Sequence, residues 1–321
     1  MQRLQLDHII KIGARGSPLS LAQTGQLRVL LGASLGIDQD EFYERLPIVP
    51  ITTTGDRIQD RPLSEAGGKG LFTKELDEAL LDGRIDCAVH SLKDVPNLMP
   101  DGVVLLGGPS WEDRRDALVS LQGYNLSQIP WGGVIGTASL RRGAQLRFVR
   151  PDLKTVVLRG NVGTRLNKLS AGGIDATLLA AAGLVRLRLL NTPHTLLDPE
   201  EMPPAIGQGA LAITARRGDQ RVIDAFARIC DPQTYLETQA ERAFLSTLDG
   251  SCRTAIGALA RIESDGSLTF IGEALSDDGQ TRWRRSACID LPTLANVVEL
   301  GARLGQEVKS AMFAGLVEAT Q

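Results

Sequence analysis

The chain has 321 residues, of which 43% are hydrophobic and 23% charged. At roughly 100–200 residues per domain this predicts two or three domains with cores of their own, and it excludes a disordered chain or a collagen-like fibre. A net charge of −3 excludes an overall basic coat for nucleic acid, and 4% aromatic residues disfavours a base-stacking surface.

Residues 1–8 have no apolar core of signal-peptide character. The longest apolar run, 178–185, is far shorter than the about 20 residues of a membrane span. Cys87, Cys230, Cys252 and Cys288 form no Cys-x-x-Cys pair and no disulfide framework. These features predict no membrane partner and a reducing compartment, the cytoplasm or an organelle stroma.

In chain order, residues 9–14 read as a short strand. Ser17 is a good N-cap and Pro18 a good first residue for a helix over 19–31, stopped by Gly32. A strand over 46–53 precedes a loop over 54–70 rich in Gly, Asp and Arg. A helix over 71–81 and a buried strand over 85–90 follow. This alternation predicts a parallel, helix-covered sheet.

A second round resembles the first. It has a strand over 134–137, a helix over 140–148 behind Ser139, a strand over 155–158, a helix over 162–170 and a strand over 174–179. The stretch Gly83-Arg84-Ile85-Asp86-Cys87-Ala88 is echoed by Gly172-Gly173-Ile174-Asp175-Ala176-Thr177. Two similar α/β lobes are expected, with a ligand cleft between them. Ligands of open α/β sheets lie at the carboxyl ends of strands. Those ends carry Arg15 and Ser17, His90, Lys93 and Asp94, and Thr137 and Ser139. The last third changes character. A helix from Pro232 to about Leu248, strands over 255–262, 268–274 and 282–289, and a helix from near Pro292 predict a small α+β domain.

Charge is unevenly placed. From Ser139 to Arg188 there are eight arginines and two lysines against only Asp152 and Asp175. Arginine outnumbers lysine 28 to 7, and its planar fork suits bidentate binding of carboxylate or phosphate. Arg141, Arg142, Arg159 and Arg165 stand beside predicted helix N-termini, which themselves favour anions. Nucleotide motifs are absent: Gly67-Gly68-Lys69-Gly70 lacks the order of a phosphate loop, and the glycine pattern at 207–212 follows prolines rather than a strand. A polycarboxylate is the anion that remains. Asp94 beside Lys93 reads either as a turn-capping ion pair or as a carboxylate that stabilises a cation and shuttles protons. His90 reads as a satisfied strand-end residue. Cys252, in the loop Gly250-Ser251-Cys252-Arg253, is the thiol placed for reactivity, whereas Cys87 reads as inert core. No His/Cys cluster has metal-ligand spacing, so no metal is expected. At this level a non-enzymatic polyanion binder and an RNA-binding protein stay open beside an enzyme.

Six segments carry a resemblance to a known family: 14–19, 67–72, the run His90-Ser91-Leu92-Lys93-Asp94-Val95-Pro96, 136–142, the run Leu158-Arg159-Gly160-Asn161-Val162-Gly163-Thr164-Arg165-Leu166, and 206–210. Together they resemble the porphobilinogen deaminases, in that family's order and over nearly the whole chain. The resemblance implies two periplasmic-binding-protein-like α/β lobes with a cleft between them and a small C-terminal α+β domain. Residues 1–110 with 206–228 would be the first lobe, with a lid near 54–70. Residues 111–205 would be the second lobe, and 229–321 the domain bearing the cofactor cysteine. It implies a transferase of haem and other tetrapyrrole biosynthesis. Four porphobilinogen units would be joined head to tail into hydroxymethylbilane, releasing ammonia, on a dipyrromethane cofactor attached covalently through Cys252.

By the same resemblance Asp94 is the catalytic residue, stabilising the cation left on the pyrrole when ammonia departs. Lys93, Thr137, Ser139, Arg141, Arg142 and Arg165 are cofactor-side ligands. Arg15, Ser17, Arg159, Arg186 and Gln208 bind substrate or the growing chain. A monomer without nucleic-acid or membrane partners is implied. The chain departs from the family pattern at Ser251, where glycine is frequent, at Ala255, where proline is common, and at Thr214, where glutamate is usual.

Overall fold

A computed structural model describes residues 9–57, 70–248 and 255–318. In chain order, β1 (Ile12–Arg15), α1 (Pro18–Leu35), α2 (Phe42–Arg45), β2 (Ile48–Ile51), α3 (Thr54–Arg57), α4 (Lys74–Leu81), β3 (Cys87–Ser91) and β4 (Val103–Gly107) come first. Next come β5 (Asp116–Val119), β6 (Val134–Gly136), α5 (Leu140–Val149), β7 (Lys154–Val156), α6 (Val162–Ser170), β8 (Ala176–Ala180), α7 (Ala181–Arg186) and β9 (His194–Leu196). The chain closes with β10 (Leu211–Arg216), α8 (Gln220–Ala227), α9 (Pro232–Thr247), β11 (Ala255–Ile262), β12 (Leu268–Leu275), β13 (Arg282–Ile289) and α10 (Leu294–Glu318).

Two compact units result. Met1–Glu112 with Ala210–Tyr235 forms the first, and Asp113–Gly209 with Leu236–Gln321 the second. The first holds a five-stranded sheet of order β2-β1-β3-β10-β4. The second holds a five-stranded sheet of order β7-β6-β8-β5-β9 and the antiparallel sheet β11-β12-β13. The protein therefore has two α/β sheets and a separate small antiparallel sheet with helices.

Both large sheets are mixed, which corrects the expectation of an all-parallel arrangement. In the first, β1 runs parallel to β2 and β3, while β10 is antiparallel to β3 and β4. In the second, β6 runs parallel to β7 and β8, while β5 is antiparallel to β8 and β9. Strand–helix alternation signals the parallel strands only. Strand β10 returns to its sheet from beyond β9, and β5 enters its sheet ahead of β6, so neither direction has a local sign.

The sequence repeat has a physical cause. Asp86 Oδ2 accepts from the backbone N–H of Lys11 at 2.8 Å, just ahead of β1. Asp175 Oδ2 accepts from the N–H of Val134 at 2.7 Å, at the start of β6. Each aspartate thus pins two parallel neighbours of its sheet, β1 to β3 and β6 to β8. Gly83 and Gly172, which turn the chain out of the preceding helix, have φ of 73° and 87°, a conformation glycine adopts without steric cost.

Helix α1 runs past its expected stop. Gly32 lies inside it, where the Phe42 ring fills the space that a side chain would take. The helix ends at Gly36, whose φ of 68° lets its N–H reach back to Ala33 and Gly32 carbonyls. The core of the first sheet joins Ile12, Leu27, Leu31, Phe42, Val89, Ile213 and Phe226. The small antiparallel sheet buries Phe244 and Phe270 against Leu300, Leu304 and Val308. It is tied to α5 through Ala144, Ala255 and Leu275 and by Gln145 Nε2 donating to Glu273 Oε1 at 2.8 Å.

Candidate functional site

In the first unit, β1 delivers Arg15 to the sheet's edge, and Ser17 then caps α1 by accepting from the N–H of Ser20 at 3.3 Å. Strand β3 delivers His90 and Ser91, and a tight turn over Leu92–Asp94 follows. Arg15, Ser17, Ser20, Gln23, Phe72, His90, Ser91 and Asp94 line one small recess. Asp94 Oδ2 lies 3.6 Å from Arg15 Nη1, within ion-pair reach. The Arg15 guanidinium also lies over the Phe72 ring, 4.0 Å from its centre, and pairs with Asp56. Lys93 is exposed.

His90 is buried, with Nε2 3.2 Å from Thr214 Oγ1. Burial, and then the charge of Arg15, push its pKa down to about 4. At neutral pH it is an uncharged packing residue, as the sequence reading has it. Thr214, one of the departures from the family pattern, is therefore the hydroxyl that satisfies this ring.

In the second unit, β6 is followed by Thr137, whose Oγ1 accepts from the Ser139 N–H at 3.2 Å. Ser139 in turn caps α5 by accepting from the Arg142 N–H at 3.4 Å. Arg141, Arg142, Arg186 and Gln208 are all buried. Arg141 Nη1 donates to Asp116 at 2.8 Å, to Gln145 at 2.9 Å and to the Pro203 carbonyl at 3.0 Å. Arg142 reaches Asp116 and also donates to the Leu178 carbonyl at 2.9 Å. Gln208 Nε2 donates to Asp116 Oδ1 at 2.8 Å, and Arg186 Nη2 to the Gly209 carbonyl at 2.7 Å.

Asp116 is the residue that sequence reading missed. It directly follows Arg114 and Arg115, and nothing local marks it instead as the partner of side chains 25 and 26 positions away.

Arg159 and Arg165 differ from the buried pair. They flank the turn at Gly160 before α6, where Asn161 accepts from the Thr164 N–H at 2.8 Å. Among the described residues neither has a carboxylate partner. Among those residues Arg165 donates to the Gly160 carbonyl alone, at 2.9 Å, and the buried Arg159 Nη1 meets no acceptor. Burial, with Arg142 and Arg159 nearby, pulls the Arg165 pKa down to about 10. Crowded cations with an unmet donor are the environment that a ligand rich in carboxylates would complete.

Cys252 and most of the expected lid lie outside the described residues; Thr54–Arg57, at its start, forms α3. Two other thiols are kept protonated by burial. Cys87 is raised well above its ordinary value, and Cys230 is pushed up to about 11.

The first unit thus presents a carboxylate beside a cation, and the second a cluster of guanidinium groups, on α/β sheets. These features define an α/β enzyme acting on a multiply carboxylated substrate. The chain belongs to the porphobilinogen deaminase family. Residues 10–224 match the model "Porphobilinogen deaminase, dipyromethane cofactor binding domain", and residues 235–310 match its C-terminal domain. It is 51% identical to the porphobilinogen deaminase of Phenylobacterium zucineum, covering 94% of this chain and 96% of that one. It is 52% identical to that of Caulobacter vibrioides, covering 94% and 95%. It is 45% identical to the chloroplastic porphobilinogen deaminase of Oryza sativa, covering 98% and 87%. Among solved structures it is similar to the periplasmic VFT2 domain of Bordetella pertussis BvgS, with a TM-score of 0.39 and 15% identity over 69% of this chain and 86% of that one.

The protein is a transferase of tetrapyrrole biosynthesis that joins porphobilinogen into hydroxymethylbilane on a dipyrromethane cofactor. The relatives named are bacterial and chloroplastic, and among the described residues no helix is long and apolar enough to cross a membrane.

Proposed function

We propose that Asp94 is the catalytic acid–base group, supported by its place at the end of β3 with Oδ2 facing Arg15 at 3.6 Å. Oδ1 is then the oxygen left to pass a proton to the departing amine of porphobilinogen and to take one back from the ring that has been extended. Once ionised, the carboxylate also stabilises positive charge spread over the substrate pyrrole. Arg15 and Ser17 orient the substrate's carboxylates in the same recess. A charge-assisted arginine–carboxylate bond is worth about 1.5–3 kcal/mol, and only the part that strengthens at the transition state speeds the reaction.

In the second unit, Arg159 and Arg165 are the direct anion ligands, supported by their lack of carboxylate partners among the described residues. Thr137 and Ser139 offer hydroxyls at the N-terminus of α5. Arg141, Arg142, Arg186 and Gln208 act from the interior, where all four are buried. Lys93 adds an exposed cation. When bound through Cys252, the dipyrromethane supplies a primer with a free carbon for the first incoming unit. The protein is proposed to work as a monomer, in the cytoplasm or an organelle stroma.

Two measurements test this. Intact mass of the purified protein should exceed the chain mass by two pyrrole units, localised to Cys252; fully active protein of unmodified mass would refute covalent priming. Asp94→Asn should lower turnover by about 10²-fold or more with the fold intact. Near-normal turnover would reject Asp94 as the acid–base group.

A further inference from the structure

One guanidinium serves two carboxylates in the recess of the first unit. Arg15 grips Asp56 with a two-pronged fork, through Nε to Oδ2 at 3.3 Å and through Nη2 to Oδ1. Only its third nitrogen, Nη1, faces Asp94, at 3.6 Å. Asp56 is itself fixed: it accepts from Thr53 Oγ1 at 2.8 Å and from the Thr53 N–H at 3.3 Å. Phe72 covers the face of the guanidinium, so the fork is held in one plane. All three charged side chains are largely shielded, at 20–30% exposure, so their mutual charge is only partly screened by water.

We infer that Asp56 is a positioning residue, whose grip on the Arg15 fork keeps that fork from closing bidentately on Asp94. A bidentate arginine would occupy both Asp94 oxygens and hold the group as an anion with nothing left for the substrate. With the fork turned toward Asp56, Asp94 keeps a nearby cation and a free oxygen. The inference rests on Asp94 being the acid–base group. The Asp56 carboxylate is well suited to the grip: burial works against its charge, but Arg15 and Thr53 together hold its carboxyl below the usual range. Among the described residues, Lys93, on the same turn as Asp94, and His90, uncharged in the same recess, are the other titratable groups on the turn and in the recess.

The test uses the cofactor-loaded enzyme and reads both activity and the 13C titration of the labelled Asp94 carboxyl. Asp56→Asn should cut kcat by about tenfold and move the acid limb of the kcat–pH profile, and the 13C midpoint, to lower pH by about one unit. Thr53→Val, which loosens Asp56 without removing its charge, should move both in the same direction by less. In an Arg15→Gln background, Asp56→Asn should shift the midpoint by less than half as much, because no fork remains to be released. An unshifted midpoint in Asp56→Asn, or an equal shift in the two backgrounds, overturns the inference. Loss of the folded near-UV spectrum in Asp56→Asn moves the decision to Thr53→Val, where an unmoved midpoint overturns it. Normal turnover in Asp94→Asn overturns the underlying reading instead, so the two failures are distinct.

Discussion

Asp116 Oδ1 accepts from both Nε and Nη2 of Arg142, at 3.1 and 2.8 Å, while its Oδ2 accepts from Arg141 at 2.8 Å. One fully buried carboxylate thereby neutralises part of two guanidinium groups that follow one another in sequence and also orients Gln208. Three side chains of this unit's cluster, Arg141, Arg142 and Gln208, are thus held in place by one buried carboxylate.

Asp116→Asn should therefore destabilise the protein more than any surface change. Removing one partner of a buried pair costs about 3–5 kcal/mol, because two cations are left uncompensated. Burial raises the Asp116 carboxyl's pKa, but Arg141 and then Arg142 outweigh this and hold it far below the usual range. A depressed folded pKa adds stability that is present above the unfolded value, about 3.9, and drains away as pH falls toward the folded value. Urea unfolding should show a large gap between wild type and variant at pH 7 that narrows below about pH 4. A constant gap across that range would contradict the assignment.

Glu241 predicts the opposite slope. Burial raises its pKa to about 7, although Arg114 and the N–H groups of Gly207 and Ala260 pull the other way. A folded pKa above the unfolded one gives stability that is complete below the unfolded value and lost as pH rises through about 7. Glu241→Gln should remove this dependence, worth on the order of 3 kcal/mol at full shift. Thermal unfolding at pH 5 and pH 8 reads it directly, and equal slopes in variant and wild type would dismiss the effect.

Arg165→Gln should separate stability from function. The arginine is half-buried among like charges, so its removal should leave the cofactor-free protein's Tm unchanged or raise it by about 1–4 °C. The same variant should retain less cofactor and release the growing chain sooner, seen by intact mass. A fall in Tm with normal cofactor loading would assign Arg165 to the fold instead.

What the sequence determined by itself was local and chemical. Periodicity and end signals such as Ser17-Pro18 and Ser139 placed most helices and strands, because caps and apolar alternation act between near neighbours. The run from His90 to Pro96 and the one from Leu158 to Leu166 identified the family, since such spacing leaves little room for another chemistry. The repeated Ile-Asp after a glycine marked two like halves before the hydrogen bonds to Lys11 and Val134 gave it a cause.

Tertiary structure decided how the charges are shared. That Arg15 divides itself between Asp56 and Asp94 could not be read from residues 41 and 79 positions apart, nor could the burial of Arg141 and Arg142 on Asp116. It also decided that β10 and β5 run against their neighbours, because strand direction depends on where the chain re-enters the sheet. An arginine counted along the chain is only a positive charge. Whether it meets a ligand or a neighbouring carboxylate depends on distance and desolvation, and folding sets both.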